Sequence, residues 1–268
     1  MSFEGFGKNL LDGDHVLITG GSSGINFAIA DRFARLGADL TLIARTQEDL
    51  DESADTLSST YGAETLGLSA DVRNMSRLET LMERSVDELG KIKCLVCGAA
   101  GNFPAAASEM SDNAFGSVVD IDLKGTFNAC RAAYDYFQKP GGSIIAISAV
   151  QSEQPTPFQS HACAAKAGVD SLVENLALEW GSEGIRVNAI QPGPIDDTEG
   201  MRKLLPDSGA KNRLAETLPL GRLGEKSDVA DLAHFLISPM ADFITGAVIP
   251  VDGGQRLVGS GGLVESVT

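Results

Sequence analysis

The chain has 268 residues, 43% of them hydrophobic, enough to bury one sizeable α/β core. Its net charge of −16 argues against nucleic acid as a partner, because duplex binding needs a basic face that displaces counterions. No apolar run approaches the roughly 18 residues of a membrane span. The opening MSFEGFGKNL lacks a basic stretch leading into an apolar one, and the final ESVT is no peroxisomal tripeptide, so a cytoplasmic location is expected by default.

In chain order, HVLITG (15–20) predicts a short apolar strand, and the glycines that follow predict a turn. Apolar residues at helical spacing over 25–37 predict a helix that stops at Gly37. DLTLIA (39–44) is the next strand, followed by a polar helix over 47–62. A third strand is expected over 64–71, a third helix over 77–90 and a fourth strand over 94–100. A long helix is predicted from about 112 to 138, then a strand over 142–148 and a helix from about 160 to 180. IRVNAIQPG (185–193) is a strand, 228–236 a helix and AVIPVDG (247–253) the last strand. Apolar strands alternating with helices imply a single α/β domain over 1–268, a doubly wound parallel sheet with helices on both faces. The stretch from 194 to about 222 reads as irregular and polar, longer than a usual connection, which suggests a substrate lid.

The four cysteines include a C-x-x-C, Cys94 and Cys97, in an apolar stretch. Three residues apart on a strand places the two thiols on opposite faces, so packed, reduced cysteines are expected there rather than a metal site. ITGGSSGIN follows the first strand and opens the first helix, the context of a glycine-rich phosphate loop. Gly20 permits the tight turn, and Gly24 lets backbone approach a pyrophosphate at the helix N-terminus. A third glycine is expected at position 26, where Asn26 stands. The second strand runs out into Arg45 where an acid would select an unphosphorylated ribose; an arginine there can clamp a 2′-phosphate, which favours NADP(H). Asp71, at the end of the third strand, can accept from the adenine amine.

TGGSSGI, ADV (70–72), CGAAG, AAKAG, IRVNAIQPGPI and ITGAVIPVDGG together resemble the short-chain dehydrogenase/reductase family over nearly the whole chain. The resemblance implies a Rossmann-like fold and a cofactor held by Gly20, Gly21, Ser22, Ser23, Gly24, Ile25, Arg45, Asp71 and Val72. It adds Ala99, Lys166, Pro192, Gly193 and Ile195 from the later matching stretches. The family's usual active-site positions for Asn, Ser, Tyr and Lys read Asp122, Ala149, Ala162 and Lys166 here, so only the lysine remains. AAGNFP, VVDIDLKGTFN, HACAAKAGVD and QPGPIDDTEGMRK are more closely similar to 2,4-dienoyl-CoA reductases of the peroxisomal type, which do not rely on a tyrosine. In the mitochondrial type a tyrosine sits fifteen residues before the lysine, a position held here by Gln151.

That resemblance implies NADPH-dependent reduction of an unsaturated acyl-CoA. Asn102 is then the expected donor to the thioester oxygen, and Asp122 and Lys166 the expected holders of a proton-delivering water. Arg73, Phe103, Arg202 and Lys203 join Asn102 as expected substrate contacts, and the helices around 112–138 and 160–180 imply a homotetramer. His161 reads as a loop or core histidine more than as a catalyst. Two other functions stay open at this level: a divergent reductase of another enone or carbonyl, and a non-catalytic NADP(H)-binding sensor.

Overall fold

The computed structural model describes residues 7, 9–204 and 208–258, except the side chains at 199, 203, 204 and 208. The expectations for the two chain ends and for the Lys203 side chain therefore lie outside the described residues.

The strands are β1 (His15–Thr19), β2 (Asp39–Ala44), β3 (Thr65–Ser69), β4 (Ile92–Cys97), β5 (Ser143–Ile147), β6 (Arg186–Pro192) and β7 (Val248–Val251). They form one sheet in the order β3-β2-β1-β4-β5-β6-β7, with every neighbouring pair parallel. The helices α1 (Gly24–Arg35), α2 (Gln47–Tyr61), α3 (Met75–Leu89), α4 (Asp112–Val119), α5 (Gly125–Ala133) and α6 (Ser160–Trp180) cross between strands. The short α7 (Glu199–Leu204) and α8 (Ser208–Thr217) precede α9 (Lys226–Ile237), and α10 (Gln255–Val258) follows β7.

The apolar strands need cover on both faces, and the helices supply it. On one side Phe33 of α1, Leu50 of α2 and Val229 of α9 pack with Val16, Ile18 and Cys94. On the other, Leu78 of α3, Ala129 of α5 and Val173 of α6 pack with Leu17, Leu95 and Cys97. Cys94 and Cys97 thus face opposite layers, as their spacing predicts. Among the described residues no cluster of His, Cys, Asp and Glu suits a metal ion, and no helix is long and apolar enough to cross a membrane.

Two stretches depart from the sequence reading. The long helix expected over 112–138 is interrupted by a π-type turn at Asp120–Lys124, and regular helix gives way after Ala133 to a 3₁₀ turn at Tyr134–Tyr136. Phe137 leaves the helix because it is buried beside β4, where the chain pairs with Ile92 and Gln138 N–H donates to the Ile92 carbonyl at 2.9 Å. The stretch from 194 to 222 is irregular only in part, since it contains α7 and α8, which pack a small core of Met201, Ala210 and Leu214. Such a core is invisible to local periodicity, because helices this short owe their stability to tertiary packing.

Candidate active site

The strand order reverses between β1 and β4, which carry their crossovers to opposite sides, and ligands in open parallel sheets bind at this point, beyond the carboxyl ends of the strands. A cleft of about 710 Å³ lies there. Its walls are the segments leaving β1, β2, β3, β4, β5 and β6, with Met201 of α7 and Gln255 of α10 at its margin. The size suits a cofactor together with part of a substrate.

The glycine turn after β1 forms because Gly20 adopts φ +71°, a left-handed conformation natural to glycine, while its N–H donates to the Ile43 carbonyl at 2.7 Å. A β-carbon at Gly20 would come within 3.0 Å of the Ala99 nitrogen. Ser23 precedes α1 in extended conformation and its hydroxyl caps nothing. The first-turn N–H groups of α1 therefore lack a side-chain cap at the cleft, and the helix dipole adds partial positive charge. A glycine cradle at an uncapped helix N-terminus fits a pyrophosphate. Arg45 leaves β2 exposed at the rim of the same cleft, and Ala99, Pro192, Gly193 and Ile195 lie farther along it.

Gly21 does not line the cleft. Its α-carbon faces β2, where a β-carbon would meet Leu42 at 2.9 Å, so this glycine serves packing. Asp71 and Val72 line the cleft, but Arg73 does not. Arg73 instead forms a two-pronged ion pair with Asp71 (2.9 and 2.6 Å), which holds the Asp71 carboxyl below the usual carboxylate range. Arg202 likewise lies outside the lining and pairs with Asp197 at 2.8 Å.

At the opposite end, three distant segments converge. The π-type turn carries Asp122 inward until the residue is 2% exposed, the kind of helical irregularity found often at functional sites. One Asp122 oxygen accepts from the Gly101 N–H at 2.7 Å, and the other lies 3.3 Å from Lys166 Nζ. Lys166 also donates to the Ile147 carbonyl at 2.8 Å. The ammonium is thus fixed between a carboxylate and a strand end, and both charged side chains line the cleft.

Asn102 follows on the loop after β4. Its Nδ2 donates to Gln159 Oε1 at 3.1 Å, which aims the amide across the cleft and leaves a second N–H available. Phe103 is partly exposed and lies against the His161 ring, with centroids 4.6 Å apart. His161 is fully buried, and burial lowers its pKa, keeping the ring neutral. Ala162 packs against Val118 of α4, and Ala149 and Gln151 complete the wall. None of these last three offers an acidic hydroxyl.

The sequence reading missed Gln159 as the holder of Asn102 and Gly101 as the holder of Asp122. Neither carries a local signal, because each acts through a contact made far along the chain. Ser148 and Gln255, both buried polar residues in the cleft wall, were also missed.

The family model described as enoyl-(acyl carrier protein) reductase matches residues 20–256. A protein from Arabidopsis thaliana named peroxisomal 2,4-dienoyl-CoA reductase, (3E)-enoyl-CoA-producing, is 42% identical over 94% of this chain and 87% of its own length. A Bacillus subtilis protein named probable 2,4-dienoyl-CoA reductase, (2E)-enoyl-CoA-producing, is 40% identical over 90% of this chain and 96% of its own. A crystal structure of a short chain dehydrogenase from Bacillus anthracis superposes with a TM-score of 0.81 at 37% identity, covering 91% of this chain and 97% of that one. With a parallel doubly wound sheet, a glycine turn at its switch point and a lysine held in the cleft, the chain is an oxidoreductase that belongs to the short-chain dehydrogenase/reductase family.

Proposed function

We propose that the protein reduces a 2,4-dienoyl-CoA to a 3-enoyl-CoA with NADPH. The observation that carries this reading is the pairing of buried Asp122 with half-buried Lys166 in a cleft where Ala149 and Ala162 offer no hydroxyl. Reduction of an isolated carbonyl needs a proton donor at its oxygen. Conjugate reduction of a dienoyl thioester does not, because the negative charge spreads from the reacting alkene to the thioester oxygen and the proton is taken up on carbon.

The glycine turn and the α1 N-terminus would hold the pyrophosphate, Arg45 the 2′-phosphate and Lys166 the nicotinamide ribose. When bound, NADPH supplies the hydride, to C5 of the dienoyl chain. Asn102 then donates to the thioester oxygen as charge develops there. Asp122 and Lys166 hold and polarise a water that gives its proton to C2, leaving the double bond between C3 and C4. Phe103 would contact the acyl chain. Coenzyme A phosphates would draw Arg73 and Arg202 from their carboxylates; both side chains are about half exposed and able to exchange partners.

We also place the protein as a homotetramer. Phe115 of α4, Phe127 of α5, Leu178 of α6, and Phe243 and Leu257 on either side of β7 expose large apolar side chains. Association of copies of the chain would cover such side chains.

Single-turnover NADPH oxidation with a 2,4-dienoyl-CoA, run against a panel of ketones, tests the reading, and product analysis reads the double-bond position. Turnover confined to the dienoyl thioester with a 3-enoyl product is expected. A 2-enoyl product would move the protonation to C4. Ketone reduction, or NADPH binding without turnover of any of these substrates, would overturn the assignment.

A further inference from the structure

Asn26 and Gly98 meet at the base of the cleft. Asn26 is in the first turn of α1, and Gly98 is the first residue past β4. Asn26 Nδ2 donates to the Gly98 carbonyl at 2.8 Å and to the Gly20 carbonyl at 3.3 Å, joining the phosphate turn to the exit of the neighbouring strand. A β-carbon added to Gly98 would lie 2.0, 2.3 and 2.4 Å from Oδ1, Cγ and Nδ2 of Asn26, and these are its three nearest neighbours. Gly98 is not among the glycines with positive φ. Its backbone therefore does not require glycine; the Asn26 amide does.

The same amide also limits Gly20, where a β-carbon would lie 2.9 Å from Asn26 Nδ2. Asn26 Oδ1 is buried and accepts no hydrogen bond. An unmet buried acceptor is unfavourable, so the side chain is retained for its donor and for the space it fills. Reversing the amide would not help, because it would set an oxygen against two carbonyls.

We propose that Asn26 is a positioning residue for the nucleotide. It braces the phosphate turn against the segment 98–102, and the gap between them holds one side-chain amide, carried by position 26 or by position 98 but not by both. The brace sets the separation between Gly20, on the pyrophosphate side, and Ala99, toward the reacting end. This rests on the reading of the cleft as an NADPH site.

The test is a double-mutant cycle in the full chain, read by fluorescence titration with NADPH and NADH. Asn26→Gly and Gly98→Asn should each raise the Kd for NADPH about tenfold or more, whereas the exchange variant carrying both should return to within about threefold of the unmodified protein. The ratio of NADPH to NADH affinity should stay constant throughout, because the 2′-phosphate contact lies at Arg45 and not at the brace. A second cycle covers poor folding of the exchange variant. Gly98→Ala should lower Tm when Asn26 is present and be tolerated in an Asn26→Ala background. Effects that simply multiply in both cycles, or an Asn26→Ala variant that binds NADPH as the unmodified protein does, would overturn the proposal. If the unmodified protein binds neither nucleotide, the nucleotide reading fails, and the brace as a nucleotide-positioning device fails with it. The thermal cycle still reports separately whether the two positions share one space.

Discussion

Around β1, β2 and β4 the cleft is walled by backbone. Gly20 hydrogen-bonds to Ile43, Thr19 Oγ1 accepts from the Gly98 N–H at 3.1 Å, and Asn26 closes the gap between turn and strand. Around the segment after β6 the wall is held by ion pairs that are partly or fully exposed. Lys211 pairs with Asp196 at 2.5 Å, while Asp197 pairs with both Arg202 (2.8 Å) and Lys226 (2.7 Å). Among the described residues, Met201, Ala210 and Leu214 form a small core in the same segment. Backbone contacts in the sheet are short and insensitive to salt, whereas exposed ion pairs are worth little each and are screened. The half of the cleft at the sheet ends is thus tied by contacts that salt leaves intact, and the half after β6 by contacts that salt weakens. The Asp122–Lys166 pair combines the two, a buried carboxylate held by a charged partner.

The contrast can be broken most forcefully at that pair. Asp122→Asn should lower kcat by roughly 10²–10⁴, the range for a lost acid–base function, while NADPH still binds. Lys166→Ala should damage turnover and nucleotide affinity together, because it removes the charge that Asp122 compensates. Stopped-flow NADPH oxidation beside equilibrium titration separates the two outcomes.

A smaller effect is expected at Asn102. Its replacement by Ala should raise the barrier by about 2.7–4 kcal/mol if the amide serves the developing oxyanion. Gln159→Ala should give a partial loss in the same direction, since it only releases the Asn102 amide. A rate unchanged in Asn102→Ala would remove the amide from the mechanism.

At the sheet ends, Arg45→Ala should weaken NADPH binding by about 1–3 kcal/mol and leave NADH nearly untouched. Equal affinity of the unmodified protein for the two nucleotides would show that Arg45 makes no 2′-phosphate contact.

The smallest effects belong to the charged wall. Asp197→Asn should change the KM for acyl-CoA by about fivefold or less, and the difference should shrink at high salt. The pH dependence follows from the depressed carboxyls. Hydrogen bonding from Lys211 lowers Asp196, and hydrogen bonding from Lys226 lowers Asp197. Groups lowered on folding stabilise fully above their unfolded values, and that contribution is lost only as pH falls through the folded ones. The ties should therefore persist through neutral and mildly acid solution and loosen only at the acid end of the carboxylate range. Proteolysis within 196–226 followed against pH would show this, and loosening near neutrality would reject it.

Periodicity, glycine turns and apolar runs determined the alternating strands and helices, the glycine turn after β1 and the position of Arg45 at a strand end. These features are local: each depends on residues a few places apart, so the chain displays them in linear order. The family resemblance singled out Asp122, Lys166 and Asn102; the structure pairs the first two and sets Asn102 in the wall of the same cleft. The interruption of the 112–138 helix could not be read in advance, because a π-type turn is held by packing of Asp122 against Lys166 and Gly101 rather than by any local preference. The helices within 194–222, the pairing of Arg73 and Arg202 with carboxylates, and the brace at Asn26 were likewise decided in three dimensions. Each depends on which surfaces the sheet brings together once its crossovers are packed, and contacts between residues dozens of places apart leave no periodic trace in one sequence.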